Sequence, residues 1–347
     1  MRVLRIRKHA QLPFSARLTW ATSQANTSRV KLRALVSSLT LVVASIGAAR
    51  ARPQQPAAPP QWPEPTVQLT PAEIETYKNA HTLIDWAPPQ IHDCPFLRNL
   101  RPARNQDQLP VVLQHVGQTV TLLLNDFPRI ACDEEVVSQA VADAHRRALG
   151  AAKARKFRYI AMPRTVGDFQ GFEEYRTDLK GNRVDPASLS DFFVITSNFI
   201  SAYLDLSPAD QRASRFRYFG IQTIRGRKCH VVGFAQEPEG AARVGTFQVE
   251  DVRVAVLVQG LAWIDPETFQ ILRITTWDLA PRIDIGLNSQ ASTVDFYPVR
   301  LSGSERVLWL PREVIVVTNY RGIWLSNTHH YSDFKLFRVE STIKPTE

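Results

Sequence analysis

The strongest constraint on the fold is a hydrophobic pattern with a period of two residues. It begins after Cys132 and continues almost to the end of the chain, in segments such as "KCHVVGFAQE", "VAVLVQGLAWID" and "VLWLPREVIVVTNY". These segments are rich in β-branched and aromatic residues and are divided by short polar turns, which is typical of β-strands. Strands joined by short turns form an antiparallel meander, and a sheet of roughly eight to ten strands curls. We therefore predict an α+β, mainly β fold built on a large curved antiparallel sheet, either a half-barrel or an open barrel.

One hairpin can be predicted residue by residue from "GLAWIDPETFQILRI", Gly260–Ile274. Asp265 suits the first position of a type I turn, and Pro266 supplies the fixed φ angle of the second. From Phe269 onward the return strand is predicted to alternate. This turn chemistry indicates a structural element, with no catalytic role needed to explain it.

Helices are predicted at three places. Thr70, Pro71 and Glu73 form a capping box that opens a helix to about Ile84, and "LPVVLQHVGQTVTLLLNDFP" carries apolar residues at helical spacing. A third helix, which would cover the sheet, is predicted over Asp191–Leu206. The segment "EEVVSQAVAD" fits either a strand or a further helix. The predicted organisation is an N-terminal helical region at 70–130 and an antiparallel β domain at 131–347.

The N-terminal segment reads as an export signal. "LVSSLTLVVASIGA" is an apolar run too short to span a bilayer comfortably, basic residues precede it, and "ARA" follows. We expect a signal peptide at 1–51 with cleavage between Ala51 and Arg52, and a Pro-rich linker at 52–69; an uncleaved membrane anchor is the alternative. A signal peptide that begins at Val30 would have ordinary proportions, which suggests that residues 1–29 precede the true translation start. The expected location is the periplasm or the exterior.

The net charge of +9 lies in the N-terminal segment. Residues 1–51 hold nine of the 42 Lys and Arg residues and no Asp or Glu, so the 33 that remain are balanced by the 33 acidic residues. The exported part therefore has no general basic footprint for nucleic acid, and no nucleic-acid partner is expected.

Three cysteines follow the signal sequence: Cys94, Cys132 and Cys229. In an oxidising compartment a Cys94–Cys132 disulfide would link the helical region to the start of the sheet region. We expect this pairing, although the spacing of three cysteines does not determine the connectivity.

The meander, the "Gly-x-x-Trp-Ile-Asp-Pro-Glu-Thr" hairpin and the following "ILRI" resemble the secreted lipoprotein-carrier-like proteins. That group includes the outer-membrane lipoprotein carriers, their receptor and the anti-sigma-factor-binding stress regulators. The resemblance spans about Cys132–Ile343. It implies a strongly curved sheet whose concave face, covered by helices, can hold acyl chains. The chain departs from a simple carrier in its greater length and its added N-terminal helical region, and no ligand-binding residue can be carried over.

Catalytic motifs are not found in the sequence: it has no "GxSxG", "HExxH", Walker loop or "GxGxxG". His329 and His330 are adjacent in a predicted strand and would point to opposite faces, which argues against a shared metal ion. Of the neighbouring carboxylates at 133–135, only Asp133 and Glu135 could share a face. We expect no catalytic residue, no cofactor and no metal.

The apolar side chains of the Asp191–Leu206 helix allow two interpretations. Either they fill the core under a curved sheet, or they line a ligand cavity, in which case the candidate lining residues are Phe192, Ile195, Phe199 and Tyr203. The leading functional hypothesis is an exported, non-enzymatic binding protein that carries or senses a lipid-like or lipoprotein ligand in the cell envelope. The alternatives are a protein-interaction or envelope-stress-sensing module with an envelope protein partner, and a hydrolase with an unrecognised site.

Overall fold

A computed structural model describes residues 69–166, 169–184, 199–239, 245–249 and 252–336. The helices in these ranges are short except for one: α1 (Pro71–Lys78), α2 (Pro88–Asp93), α3 (Leu109–Asp126) and α4 (Pro208–Gln211). Short 3-10 helices lie at Leu83–Asp85, Pro95–Leu97, Ser201–Leu206 and Ile283–Ile285. None of the helices in the described ranges is long and apolar enough to span a membrane.

The described strands are β1 (Arg101–Pro102), β2 (Ile130–Val141), β3 (Lys153–Val166), β4 (Phe169–Thr177), β5 (Ser214–Ile224), β6 (Arg227–Gln236), β7 (Gly245–Val249), β8 (Val252–Val256), β9 (Val258–Ile264), β10 (Ile271–Asp278), β11 (Leu287–Arg300), β12 (Val307–Tyr320) and β13 (Ile323–Leu336). Eleven of them form one antiparallel sheet in the order β1-β5-β6-β9-β10-β11-β12-β13-β2-β3-β4, and β7 pairs with β8. This open, half-barrel-like sheet confirms the predicted fold class.

Residues 134–141 of the segment "EEVVSQAVAD" belong to strand β2, so the strand interpretation is the correct one. Between Ile130 and Ser138 its residues alternate between buried and half-buried, as expected for a strand whose one face packs on a core. The helix predicted from Thr70 begins as expected, with the complete capping box of Thr70 and Glu73, but it ends at Lys78 instead of Ile84.

The sheet has two faces with different coverings. We call the face that packs against α3 and residues 199–206 the inner face, and the face that packs against residues 83–97 the outer face. On the inner side, Val112, Val116 and Val120 of α3 are fully buried in the largest apolar cluster. Burying each valine side chain contributes about 1.5–3 kcal/mol, so this stripe fixes α3 to the sheet.

The hairpin that joins β9 and β10 holds α3 in place. Asp265 Oδ1 accepts hydrogen bonds from the backbone N–H groups of Glu267 and Thr268, both at 3.0 Å. Phe269 has a positive φ of 54°, and its ring stacks on His115 of α3 with centroids 4.5 Å apart. The return strand therefore begins at Ile271, two residues later than the alternation predicted, because Phe269 completes the turn.

The covering of the outer face packs closely against Gly233 of β6. A Cβ atom at Gly233 of β6 would lie 2.4 Å from Leu83 Cδ1 and 2.4 Å from Phe219 Cε2. The missing side chain thus leaves room for Leu83, which is fully buried. Leu83 also donates its backbone N–H to the Gln259 side chain at 2.8 Å.

The expected Cys94–Cys132 bridge is not formed in the structure, which contains all three cysteines as free, buried thiols. Cys94 belongs to the cluster on the outer face, together with Cys229, whereas Cys132 belongs to the inner cluster. The physical reason is that Cys132 lies in the buried phase of β2, where its side chain faces α3 and not the N-terminal covering.

Candidate functional site: the inner face of the sheet

The inner face changes character along its strands. Beside α3 it is mostly apolar. One row across β10, β11, β12, β13 and β2 is completely buried and consists of Ile274, Val294, Val314, His329 and Val136. The next two rows toward the other end are mostly polar. We call these side chains the polar band: Thr276 and Asp278 on β10, Gln290 and Ser292 on β11, Thr318 on β12, Asn327 on β13 and Ser138 on β2.

Some members of the polar band are hydrogen-bonded to each other. The hydroxyl groups of Thr276 and Ser292 lie 2.8 Å apart, and Thr318 Oγ1 donates to Gln290 Oε1 at 3.3 Å. Asp278 Oδ2 accepts the backbone N–H of Gln290 at 2.6 Å. Burial raises the pKa of Asp278 to about 7, because a carboxylate loses hydration there and one backbone donor offsets only part of the loss.

A charged cluster lies beside the band, deep in the apolar part of the inner face. Arg176 on β4 forms a two-point ion pair with Glu134 on β2, with Nε to Oε2 at 2.5 Å and an Nη to Oε1 at 2.7 Å. Glu134 Oε1 also accepts hydrogen bonds from His329 Nδ1 at 2.9 Å and from the Tyr331 hydroxyl at 2.8 Å. All four side chains are buried.

Burial by itself would raise the pKa of Glu134, but Arg176 and the hydrogen bond from His329 outweigh it and lower that pKa to about 2. Burial lowers the pKa of His329, with partial opposition from Glu134. At neutral pH the pair is therefore a carboxylate and a neutral imidazole. Since the carboxylate can only accept, the proton of the imidazole is on Nδ1 and the lone pair is on Nε2.

Residues 199–206, the last part of the predicted covering helix, close one end of the inner face. Glu174 of β4 accepts the backbone N–H of Ile200 at 3.0 Å and that of Ser201 at 2.8 Å, and it is hydrogen-bonded to the Tyr159 hydroxyl. Phe199 packs edge-on against the His329 ring, with centroids 5.0 Å apart.

The four candidate lining residues have different outcomes. Phe199 and Tyr203 are buried members of the inner core, and Tyr203 donates its hydroxyl to the Trp309 carbonyl at 3.0 Å. At these two positions the structure shows a filled core and not a cavity wall. Phe192 and Ile195 lie outside the described residues, and so do the proposed cleavage residues Ala51 and Arg52. Ser201–Leu206, the end of the predicted helix, is a 3-10 helix.

Three buried polar atoms have no hydrogen-bond partner within the described ranges: His329 Nε2, Asn327 Nδ2 and Tyr320 Oη. Asn327 lies two residues from His329 on β13, and both face inward. Tyr320 lies on β12 two residues beyond Thr318, and the centroids of its ring and the Phe247 ring of β7 are 6.0 Å apart. A buried polar atom without a partner costs about 1–3 kcal/mol, so three on one face mark a place that a ligand's polar atoms can satisfy.

The other titratable residues noted in the sequence lie on the outer face. His330 is 3.6 Å from Glu313, and Asp133 and Glu135 share that face, 3.5 Å from Arg158 and 4.0 Å from Lys156 respectively. Across the described segments, no three His, Cys, Asp or Glu side chains come together as a metal site. Sequence reasoning missed Glu134, although a signal exists: it occupies the same strand phase as Ile130, Cys132 and Val136.

Solved structures with a similar arrangement include an outer membrane lipoprotein-sorting protein domain from Vibrio parahaemolyticus. It is 12% identical, with a TM-score of 0.36 over 64% of this chain and 90% of that one. A DUF1329 family protein from Desulfovibrio piger is 10% identical, with a TM-score of 0.38 over 68% and 95%. A LolA superfamily protein from Nitrosomonas europaea is 12% identical, with a TM-score of 0.32 over 66% and 94%.

Two of these neighbours, the lipoprotein-sorting domain and the LolA superfamily protein, carry names of the group that the sequence resembles. No family model and no curated protein sequence matches this chain.

Proposed function

We propose that this chain is an exported, non-enzymatic binding protein that carries or senses a lipid-like ligand in the cell envelope, and that the inner face of the sheet binds the ligand. The observation that supports this most directly is that a buried apolar row and a polar band share one face, and that three unpartnered polar atoms lie in and beside that band. Such a surface suits an amphiphile, because each part of the ligand meets matching chemistry.

The apolar contribution would come from the row at Ile274, Val294, Val314 and Val136. Each methylene group removed from water contributes about 0.8 kcal/mol, so the affinity would rise with the length of the alkyl chain. Since Phe199 and Tyr203 fill the end beside α3, the ligand would enter from the end that carries the polar band.

The experiment is to express the full-length gene in a bacterial host that exports the protein to its periplasm. The exported protein is purified without detergent and analysed by native mass spectrometry. A co-purifying amphiphile supports the proposal. To assign it to the inner face, Ser292→Trp places a bulky ring on the polar band, and Thr293→Trp places the same ring one residue away on the outer face. We expect Ser292→Trp to lose the ligand and Thr293→Trp to retain it.

Loss of the ligand in both variants, or in neither, would contradict binding at the inner face. A protein that carries no amphiphile and takes none up from added lipid would contradict the proposed function and favour recognition of an envelope protein. The N-terminal sequence of the purified protein would test cleavage between Ala51 and Arg52 in the same preparation.

A further inference from the structure

We infer that the part of the ligand that contacts the polar band is an uncharged group that both donates and accepts hydrogen bonds, as a hydroxyl or an amide does. This inference rests on the proposed function and specifies the chemistry of its ligand. It follows from the unpartnered atoms of the inner face and from the charges around them.

His329 offers an acceptor. Its Nδ1–H is committed to Glu134 at 2.9 Å, and Glu134 is held as a carboxylate by Arg176, so Nε2 carries a lone pair and no proton. The imidazole is fully buried, and the Phe199 ring packs beside it. A ligand O–H or N–H can donate to this nitrogen, whereas a group without a proton cannot.

Asn327 offers a donor, because its Nδ2 is buried and without a partner in the described ranges, and its side chain is 1% exposed. The Tyr320 hydroxyl, also unpartnered, lies four residues along β12 from Val316, the partner of Asn327, so it can donate to or accept from a second polar atom of the ligand. A donor and an acceptor two residues apart on one strand are about 6–7 Å apart at the backbone, a spacing that side chains can close around one small polar group.

The charges beside Asn327 and His329 do not favour an ion there, although Arg321 packs over the Tyr320 ring, 5.0 Å from its centroid. The guanidinium of Arg176 is neutralised by Glu134 in a two-point pair. Lys153 and Arg155 lie on β3 directly opposite Ser138 and Val136, and both are engaged in interactions of their own. At the opposite end of the band, the Asp278 carboxyl would repel an anion once it is ionised. A phosphate placed beside Asn327 and His329 would therefore lose its hydration while Arg176, Lys153 and Arg155 are engaged elsewhere, and a quaternary ammonium has no acceptor atom for the Asn327 N–H.

The test is isothermal titration calorimetry of the delipidated protein with three probes that share one alkyl chain: a monoacylglycerol, an alkyl phosphate and an alkyl trimethylammonium salt. We expect the monoacylglycerol to bind most tightly. Asn327→Leu and Tyr320→Phe should each weaken its binding about 2- to 10-fold, the effect of one neutral hydrogen bond. Tyr297→Phe, the same change on the outer face, should leave the affinity unchanged.

The outcomes separate the two claims. If the alkyl phosphate or the ammonium salt binds at least as tightly as the monoacylglycerol, or if Asn327→Leu and Tyr320→Phe bind it as well as the unmodified protein does, the head-group inference is wrong while the proposed function stands. If none of the probes binds, both are wrong. Thermal unfolding of each variant shows that it is folded, and because both substitutions remove an unsatisfied polar atom, neither should lower the melting temperature.

Discussion

Glu134 Oε1 lies 2.9 Å from His329 Nδ1 across strands β2 and β13, and both side chains are completely buried. The contact joins residues 195 positions apart in the sequence, and Arg176 completes it from β4. Three strands of the sheet are therefore tied together by one carboxylate in a region that is otherwise apolar. Because Arg176 and His329 are buried and cannot be hydrated, the Glu134 carboxylate is needed to satisfy their hydrogen-bond donors.

The first prediction concerns this carboxylate. Glu134→Gln leaves Arg176 buried without a counter-charge, and we expect the free energy of unfolding to fall by about 3–5 kcal/mol. Glu135→Gln is the matched control: it removes a carboxylate one residue away, on the outer face, whose nearest cation is the exposed Lys156 at 4.0 Å. The control should cost less than about 1 kcal/mol. Urea denaturation of both variants measures the difference, and equal losses would show that Arg176 does not depend on Glu134.

A second prediction concerns Asp278, whose pKa is raised from 3.8 to about 7 by burial. Below pH 3.8 the carboxyl is protonated in both the folded and the unfolded chain, so its contribution to stability is fully present. As the pH rises toward 7 the unfolded chain loses the proton first, and that contribution is lost. Asp278→Asn imitates the protonated form. It should match the unmodified protein near pH 3.5 and exceed its stability by about 1–3 kcal/mol at pH 8.

The measurement for Asp278→Asn is the urea midpoint at several pH values, reported as the difference from the unmodified protein. The lowered pKa values of Glu134 and His329 make both proteins less stable as the pH falls. Because this effect is the same in the variant and in the unmodified protein, it is removed when the difference is taken. Asp133→Asn on the outer face controls for the change in net charge. A difference that does not depend on pH would contradict the raised pKa of Asp278.

The third prediction concerns the outer covering. Gly233→Ala introduces a Cβ atom 2.4 Å from Leu83 Cδ1, so Leu83 and the residues around it must shift. Overpacking of this kind costs about 1–3 kcal/mol. Limited proteolysis should cut residues 83–97 faster than in the unmodified protein. Gly150→Ala, where a Cβ meets nothing within 4 Å, is the control, and equal cleavage rates in the two variants would contradict close docking at Gly233.

The sheet could be predicted from the sequence because burial on one face imposes a period of two on each strand, and the hairpin at Asp265 because its turn chemistry is local. The capping box of Thr70 and Glu73 is local too, and it is present as predicted. The end of that helix was predicted too late, because its length depends on tertiary contacts beyond Lys78.

The candidate site could not be predicted in the same way. Glu134 meets Arg176 at a separation of 42 residues and His329 at 195, and no local pattern encodes which strands become neighbours. The polar band arises only when five strands are placed in register. The interpretation of Phe199 and Tyr203 depended on whether the space beside α3 is filled, which packing decides and sequence does not.

The last prediction concerns the three cysteines. Cys94 and Cys132 lie in apolar clusters on opposite faces of the sheet, so we expect no bridge between them in the exported protein. Burial raises the pKa of all three thiols, that of Cys229 to about 11, and keeps them protonated and unreactive in the folded state. Iodoacetamide should therefore label none of them in buffer and all of them in urea without a reductant, as read by intact mass. A single label in urea would mean that two cysteines are bridged, and labelling in buffer would mean that a thiol is accessible.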